Sequence, residues 1–321
     1  MILSKTLESI TVGIVYSFPL ISIAGFFFNS LSFVIFSQKK FQKTSFSIYF
    51  RFLIISDSLS LLLPINRMLE WNFLMFISNY SDFFCKLRAF YSYAIRPISG
   101  WTTVVIGLDR MIDIMYPTRF LFRKQVKFQI ITCLSILFFD FMFYIPVLFF
   151  RLNRTPYFDT QTNKTSELII CENKSIPVFW MDLFQSALVP FILMLTSTSL
   201  ILRCVFKSRH LRQRARRRKD LKYAVTSISL NIIFLLLNSP FVFYNLISTY
   251  ISINYAVDEF LFILCLTMLY LNFLSVFFIN ISANSIFKEE FYKLLSKNGS
   301  NNTNDNKKST FINNELVLKL K

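Results

Sequence analysis

Seven stretches of this chain are nearly free of charge and close to the length that crosses a lipid bilayer as a helix. They lie near residues 9–38, 52–66, 89–108, 128–150, 183–202, 223–250 and 260–287. A membrane-spanning helix needs about 20 mostly apolar residues. The chain has 321 residues, of which 54% are hydrophobic and only five are glycine, and a soluble domain of this size usually contains more charge and more turn residues. The sequence therefore predicts an all-α membrane protein, a bundle of seven transmembrane helices.

The basic residues are unevenly distributed between the two sides that this topology defines. If the N-terminus is outside, 26 of the 35 lysines and arginines fall in inner segments, ten of them between Arg203 and Lys222. An excess of positive charge in inner loops is the usual signature of membrane topology. The formal net charge of +17 is thereby explained without nucleic-acid binding. We expect a multi-pass protein of the plasma membrane with an extracellular N-terminus and with membrane lipids around it.

Two features of the predicted outer segments suit an extracellular compartment. Four asparagines begin Asn-x-Ser/Thr triplets there and are candidate glycosylation sites: Asn79, Asn153, Asn163 and Asn173. Of the five cysteines, only Cys85 and Cys171 fall in outer segments, where disulfides persist. We expect these two to pair, and two free external thiols are the alternative.

The stretch from Cys85 to Pro117 contains a polar stripe. Ser92, Arg96, Ser99, Thr103 and Arg110 recur at spacings of three, four and seven, so they share one face of a helix. Lipid cannot solvate such a stripe, which must face other helices or water. We therefore expect this helix to lie inside the bundle.

The same stretch resembles the third helix of rhodopsin-like (class A) G-protein-coupled receptors. The family's Asp-Arg-Tyr motif appears as Asp109-Arg110-Met111, and Cys85 stands at the family's distance from this arginine. Further matches follow in order along residues 10 to 295, at Asn29, Asp57, Pro190 and Pro240. The segment 43–50 that enters the second predicted helix is most similar to invertebrate neuropeptide receptors.

The resemblance implies a polar network with a sodium ion near Asp57. Its members would be Asn29, Asp57, Ser99 and Asn272, because these residues match the family's positions. An aspartate in mid-membrane is costly and marks function by default. A neutral, hydrogen-bonded Asp57 with a structural role is the alternative. Apart from this ion the sequence predicts no metal site and no cofactor.

The resemblance also implies a switch that activates a heterotrimeric G protein. Asp220 stands where relatives carry the acidic partner of the third-helix arginine, so Arg110 would be held by Asp220 and by Asp109 until the sixth helix moves. Several other family residues are missing. Leu237-Asn238-Ser239-Pro240 lacks the usual tryptophan, and the two tyrosines that steady the active state are Thr198 and Asn280 here.

Helical register predicts the ligand pocket. Its candidate residues are Arg67, Ser92, Arg96, Asp182, Asn238 and Tyr270. Ser92 replaces the aspartate of amine receptors and Tyr270 replaces the retinal-binding lysine of opsins, so the resemblance implies neither an amine receptor nor an opsin. A cationic floor under an acidic rim of Glu70, Asp258 and Glu259 suits a peptide with a basic segment and a polar or anionic C-terminal end. The alternative is that Arg96 and Asp182 simply pair with each other.

The domain organisation that we expect has four parts. An extracellular N-terminus (1–10) precedes the seven-helix receptor domain (11–284), an amphipathic eighth helix on the membrane surface (285–296) and a disordered tail (297–321). With a single histidine no catalytic constellation can be built, and we expect no enzyme. Two alternatives to a neuropeptide receptor remain open, a receptor-fold decoy or partner without G-protein coupling, and a chemosensory receptor for a small molecule. A transporter would show internal repeats, which are absent from the sequence.

Overall fold

The structure is a computed structural model. It describes residues 2–42, 46–73, 81–116, 119–159, 164–172, 177–208, 215–251 and 254–296.

The described residues form long helices that follow one another along the chain. In order these are α1 (Ile2–Phe36), α2 (Ser47–Ser60, continued by Leu62–Phe73), α3 (Asp82–Met115), α4 (Val126–Phe143), α5 (Val178–Asp182, Leu183–Leu188 and Val189–Ser208), α6 (Ala215–Tyr250) and α7 (Tyr255–Asn272, continued by Ser275–Ala283). Residues 285–296 are helical again and are called α8. α1 begins at Ile2, so the helix includes most of the segment that the sequence suggested as an N-terminal extension.

Six of these helices are long and apolar enough to cross a membrane. The qualifying segments are Lys5–Phe36, Ser47–Leu69, Val126–Phe149, Val178–Cys204, Val225–Ser248 and Tyr255–Asn272. α3 is not among them, although its 34 residues extend about 51 Å at 1.5 Å per residue. Its length suffices, but charged residues interrupt its apolar sequence. The protein is therefore a multi-pass membrane protein, and charged residues occur along the length of α3.

α3 lies in the middle of the bundle, as its polar stripe predicts. It contacts α2, α4, α5 and α6. Ser99, Thr103, Asp109 and Arg110 are all buried. Because neighbouring helices surround the stripe, these groups avoid the lipid that could not hydrogen-bond to them.

Two helices are interrupted in the interior, and α1 compensates both interruptions. α2 breaks at Leu61, because Pro64 has no N–H for the carbonyl of Ser60 and its ring crowds that carbonyl. At this break, the hydroxyl of Ser22 donates to the neighbouring Leu61 carbonyl at 2.9 Å. α7 breaks at Phe273, and the amide of Asn29 donates to the Phe273 carbonyl at 3.1 Å.

Gly25 makes the first of these contacts possible. It lies between Ser22 and Asn29 on the same face of α1. A Cβ atom at position 25 would clash with the side chain of Leu61. The missing side chain therefore allows α1 to approach α2 closely at its break.

A π-helical turn interrupts α5 at Leu183–Leu188. Pro190 lies two residues after this turn and cannot donate a backbone hydrogen bond, so the wider turn accommodates the interruption. Such turns occur mostly within α-helices and often at functional sites. This one lies between Asp182 and the rest of α5, and it sets the direction in which Gln185 points.

An antiparallel hairpin lies between α4 and α5. Its strands are β1 (Arg151–Asp159) and β2 (Lys164–Glu172), with Leu152 opposite Cys171. A disulfide joins Cys171 to Cys85 near the start of α3, which confirms the expected pairing. The carboxylate of Asp82 also accepts a hydrogen bond from the Leu152 amide at 3.0 Å. The described residues thus form helices and one two-stranded sheet.

The disulfide should contribute measurably to stability. Its cysteines are 86 residues apart, and a bridge that closes a loop of this size stabilises a protein by about 2–4 kcal/mol. We predict that Cys85→Ser lowers the apparent melting temperature in detergent. Cys265→Ser, which removes a half-buried free thiol, is the control and should change it little. Equal melting temperatures for the two variants would contradict the prediction.

Candidate functional site

A cavity of about 440 Å³ lies between α2, α3, α5, α6 and α7, at the end of the bundle that carries the disulfide. This volume is within the range of about 300–1,000 Å³ that ligand pockets occupy. Five of the six residues predicted for the pocket line it: Arg67, Ser92, Arg96, Asp182 and Tyr270. The sixth, Asn238, lies at a separate void of about 20 Å³ that it shares with Arg96 and Phe234.

Arg96 and Asp182 form an ion pair at this cavity. The Nη2 atom of Arg96 is 3.0 Å from Oδ2 of Asp182, and the other carboxylate oxygen accepts a hydrogen bond from the Tyr144 hydroxyl at 3.3 Å. The Arg96 guanidinium also lies over the rings of Tyr93 and Phe241, at 5.6 and 5.7 Å from their centroids. Arg96 and Asp182 therefore pair with each other in the structure, which is the alternative that the sequence left open.

The side chains that line the cavity carry more positive than negative charge. Arg67 and Arg88 line it in addition to the Arg96–Asp182 pair. The guanidinium of Arg67 is 5.5 Å from the centroid of the Phe262 ring. The lining thus includes three arginines and one aspartate, and Glu259 interacts electrostatically with Arg67. The cavity is suited to a ligand with an anionic group.

The residues of the predicted sodium network are placed as follows. Asp57 is buried and accepts a hydrogen bond from Ser99, and its Oδ1 atom is buried without a hydrogen-bond partner. Asn29 binds the α7 backbone instead. Asn272 is buried on α7, where its carbonyl accepts from the hydroxyl of Ser275 at 2.8 Å. The network is thus divided between a carboxylate site and a backbone contact.

At the opposite end of the bundle, charged side chains form a buried cluster. Asp109 Oδ2 is 3.4 Å from Arg110, and Asp109 Oδ1 is 2.6 Å from Arg123. Asp113 contacts both arginines, at 3.5 and 3.1 Å. Asp113 lies four residues after Asp109 and hence on the same helical face, a sign that sequence reasoning missed. No spacing pattern in the sequence linked Arg123 to these aspartates.

Several predicted residues fall where the structure gives no side chain. Asp220 lies on α6, but its side chain is outside the described part, so its contact with Arg110 stays a prediction. Asn79, Asn163 and Asn173 are outside the described residues, as is the side chain of Asn153.

Two further polar contacts join α5 to its neighbours inside the bundle. Gln185 donates to Asp140 at 2.6 Å, and Asn231 of α6 donates to Thr198 at 2.8 Å. Gly107 of α3 lies against the second pair, because a Cβ atom there would be 3.2 Å from the Asn231 amide. The sequence indicated Thr198 only as the residue that replaces a family tyrosine.

A membrane bundle with a polar central helix, a cavity at one end and an Asp-Arg pair at the other is the architecture of a seven-helix receptor. The chain matches the family model described as 7 transmembrane receptor (rhodopsin family) over residues 29–279. It therefore belongs to the rhodopsin family of G-protein-coupled receptors, which is not an enzyme family. A comparison with curated proteins found no match.

The Arg96–Asp182 pair can be tested by a double-mutant cycle. Removing one partner of a buried pair leaves an uncompensated charge and costs about 3–5 kcal/mol. We predict that Arg96→Met and Asp182→Leu each lower the apparent melting temperature, and that the double variant is more stable than the sum of the two effects indicates. Arg119→Met, at an exposed arginine, is the control for loss of charge. Strictly additive effects would show that the two side chains are not coupled.

Proposed function

We propose that this protein is a cell-surface receptor that binds an extracellular peptide in the cavity and activates heterotrimeric G proteins by moving α6. The observation that carries the proposal is that α3 contributes a charged residue both to the cavity at one end of the bundle and to the charge cluster at the other end. Arg96 lines the cavity and Arg110 belongs to the inner charge cluster. The two residues are 14 positions apart on one helix, or about 21 Å.

A peptide is the ligand class that the cavity chemistry favours. The cavity combines aromatic walls with an excess of arginine, and a carboxylate at a peptide terminus or side chain would complement that charge. The resemblance to invertebrate neuropeptide receptors supports the neuropeptide class in particular. Binding at this end would act on α3 and α5 through the Arg96–Asp182 pair, which joins the two helices.

The orientation is part of the proposal. The distribution of basic residues and the disulfide favour the cavity end as the extracellular side. The N-terminus would then be outside, and Asn79, Asn153, Asn163 and Asn173 would be open to glycosylation. α8 would lie on the inner membrane surface, where Lys40 is 2.7 Å from Glu289.

A second reading is a receptor fold that binds ligand without activating a G protein. Specific contacts favour it, because the residues in place of the two family tyrosines are already engaged. Thr198 accepts from Asn231, and Asn280 donates to the Val276 carbonyl of its own helix at 2.8 Å. Neither is placed as a long tyrosine side chain would be to reach Arg110.

The function can be tested in cells that carry an epitope tag before Met1. Staining of unpermeabilised cells tests the outer N-terminus, and a glycosidase-sensitive mobility shift tests the sequons. We predict G-protein activation by members of a neuropeptide library, abolished by Arg110→Ala and unaffected by Arg119→Ala in the neighbouring loop. Asp220→Ala should raise activity without ligand.

The outcomes separate the two readings. Surface protein that binds a peptide but activates no G protein would favour the decoy. A peptide response that survives Arg110→Ala would contradict the proposed switch, because the inner cluster would then be dispensable.

The proposed sodium ion would occupy the site beside Asp57. A buried carboxylate oxygen without a hydrogen-bond partner, next to a hydroxyl, fits a hard cation that prefers oxygen ligands. Asp57 and Ser99 would hold the ion, and Asn272 is a further candidate ligand on α7.

A thermal-shift series tests this ion. An ion that binds the folded state alone stabilises it by about 1 kcal/mol when its concentration is about five times Kd. We predict that replacing N-methylglucamine with sodium raises the apparent melting temperature by a few degrees, and that Asp57→Asn removes the effect. Asp140→Asn, which neutralises the other buried mid-helix aspartate, should retain it. An undiminished sodium effect in Asp57→Asn would rule the site out.

A further inference from the structure

Arg123 belongs to the loop between α3 and α4, yet it is buried and points at α3. Only 6% of its surface is exposed. Nη1 donates to the carboxylate of Asp109 at 2.6 Å and to the Asp109 carbonyl at 3.1 Å. Nη2 donates to Asp113 at 3.1 Å. The planar guanidinium therefore bridges two carboxylates one helical turn apart, with a different nitrogen facing each of them.

The loop is built to hold this side chain in place. Arg123 lies in a 3₁₀ turn, Leu121–Lys124, and its carbonyl accepts a hydrogen bond from Gln129 of α4 at 3.2 Å. Phe120, just before the turn, has a left-handed backbone with φ of 57°, a conformation that bulky residues rarely adopt. Strain of this kind persists where the surrounding contacts impose it, often at functional sites.

Arg123 and Arg110 share the same two carboxylates. The contacts of Arg123 are the shorter ones, at 2.6 and 3.1 Å, whereas those of Arg110 measure 3.4 and 3.5 Å. The Arg110 guanidinium also lies 4.5 Å from the ring centroid of Phe46, at the start of α2. Because charge-assisted hydrogen bonds are strongest when short, the carboxylates are engaged mainly by the loop.

We infer that Arg123 is a positioning residue that competes with Arg110 for Asp109 and Asp113, so that the loop between α3 and α4 sets how firmly α3 holds Arg110. The inference rests on the proposed function, in which Arg110 controls α6. Arg123 acts through Arg110 and need not contact a G protein itself.

The competition predicts opposite effects from two neighbouring substitutions. Arg123→Gln leaves both carboxylates to Arg110, which is then held more firmly, and basal activity falls. Asp113→Asn removes one carboxylate from Arg110 and leaves Arg123 with Asp109, so Arg110 is released and basal activity rises. If Arg123 and Asp113 served only to anchor the loop to α3, both substitutions would change basal activity in the same direction.

The test uses the full-length receptor in nanodiscs with purified G protein and no ligand. We expect basal nucleotide exchange to fall about fivefold in Arg123→Gln and to rise about fivefold in Asp113→Asn, the lower end of typical couplings between sites. Hydrogen exchange of α6 amides in residues 215–230 is the second readout. It should slow in the first variant and quicken in the second.

Lys124→Gln is the matched control. It removes the same charge from the same turn, but the Lys124 side chain is 44% exposed and 3.5 Å from Asp113, and such pairs contribute little. We expect it to behave like the unmodified protein. Arg123→Lys should fall between Arg123→Gln and the unmodified protein, because it keeps the charge but lacks the rigid fork of guanidinium donors.

Each outcome has a defined meaning. Opposite shifts in both readouts support the inference. Opposite shifts in α6 exchange without nucleotide exchange in any variant would retain the inference and reject the proposed G-protein activity. Shifts of the same sign, or changes confined to residues 119–125, would overturn the inference and leave Arg123 as a loop anchor.

Discussion

Every polar backbone group inside the bilayer needs a partner from the protein, and this requirement explains how the bundle is assembled. Helices meet it internally, but α2 and α7 are broken at Leu61 and Phe273. One face of α1 supplies a donor to a carbonyl at each break, from Ser22 and from Asn29. The interruptions are thus not isolated kinks, since α1 cannot separate from either helix without exposing a carbonyl to lipid.

The same constraint places α3 at the centre. A helix that carries Arg96, Asp109 and Arg110 with little exposure could not face lipid, and two of these charges have a partner from another element. At one end the partner is Asp182 of α5, and at the other it is Arg123 of the following loop. The residues that make α3 unsuitable as an independent span are therefore those that connect it to the rest of the molecule.

Sequence reasoning succeeded where one helix face or one topological side decides the outcome. Register on a single helix was enough to place Ser92 and Arg96 at the cavity, and the topology alone was enough to pair Cys85 with Cys171. Sequence reasoning failed where the residue that contacts a helix lies in a loop or in an irregular turn. Arg123 sits in a loop whose 3₁₀ turn has no sequence signature, so nothing in the sequence assigned it to Asp109.

A π-helical turn explains another missed contact. It shifts the direction of α5 side chains after Asp182, and regular helical register cannot then show that Gln185 reaches Asp140. Asp182 and Gln185 meet different partners near the C-terminal end of α4, since Tyr144 binds Asp182 and Asp140 binds Gln185. The ion pair at the cavity is thereby linked to a second buried carboxylate through α4 and the widened turn of α5. A ligand that draws Asp182 away from Arg96 would act on both contacts, because the same short segment of α5 carries both side chains.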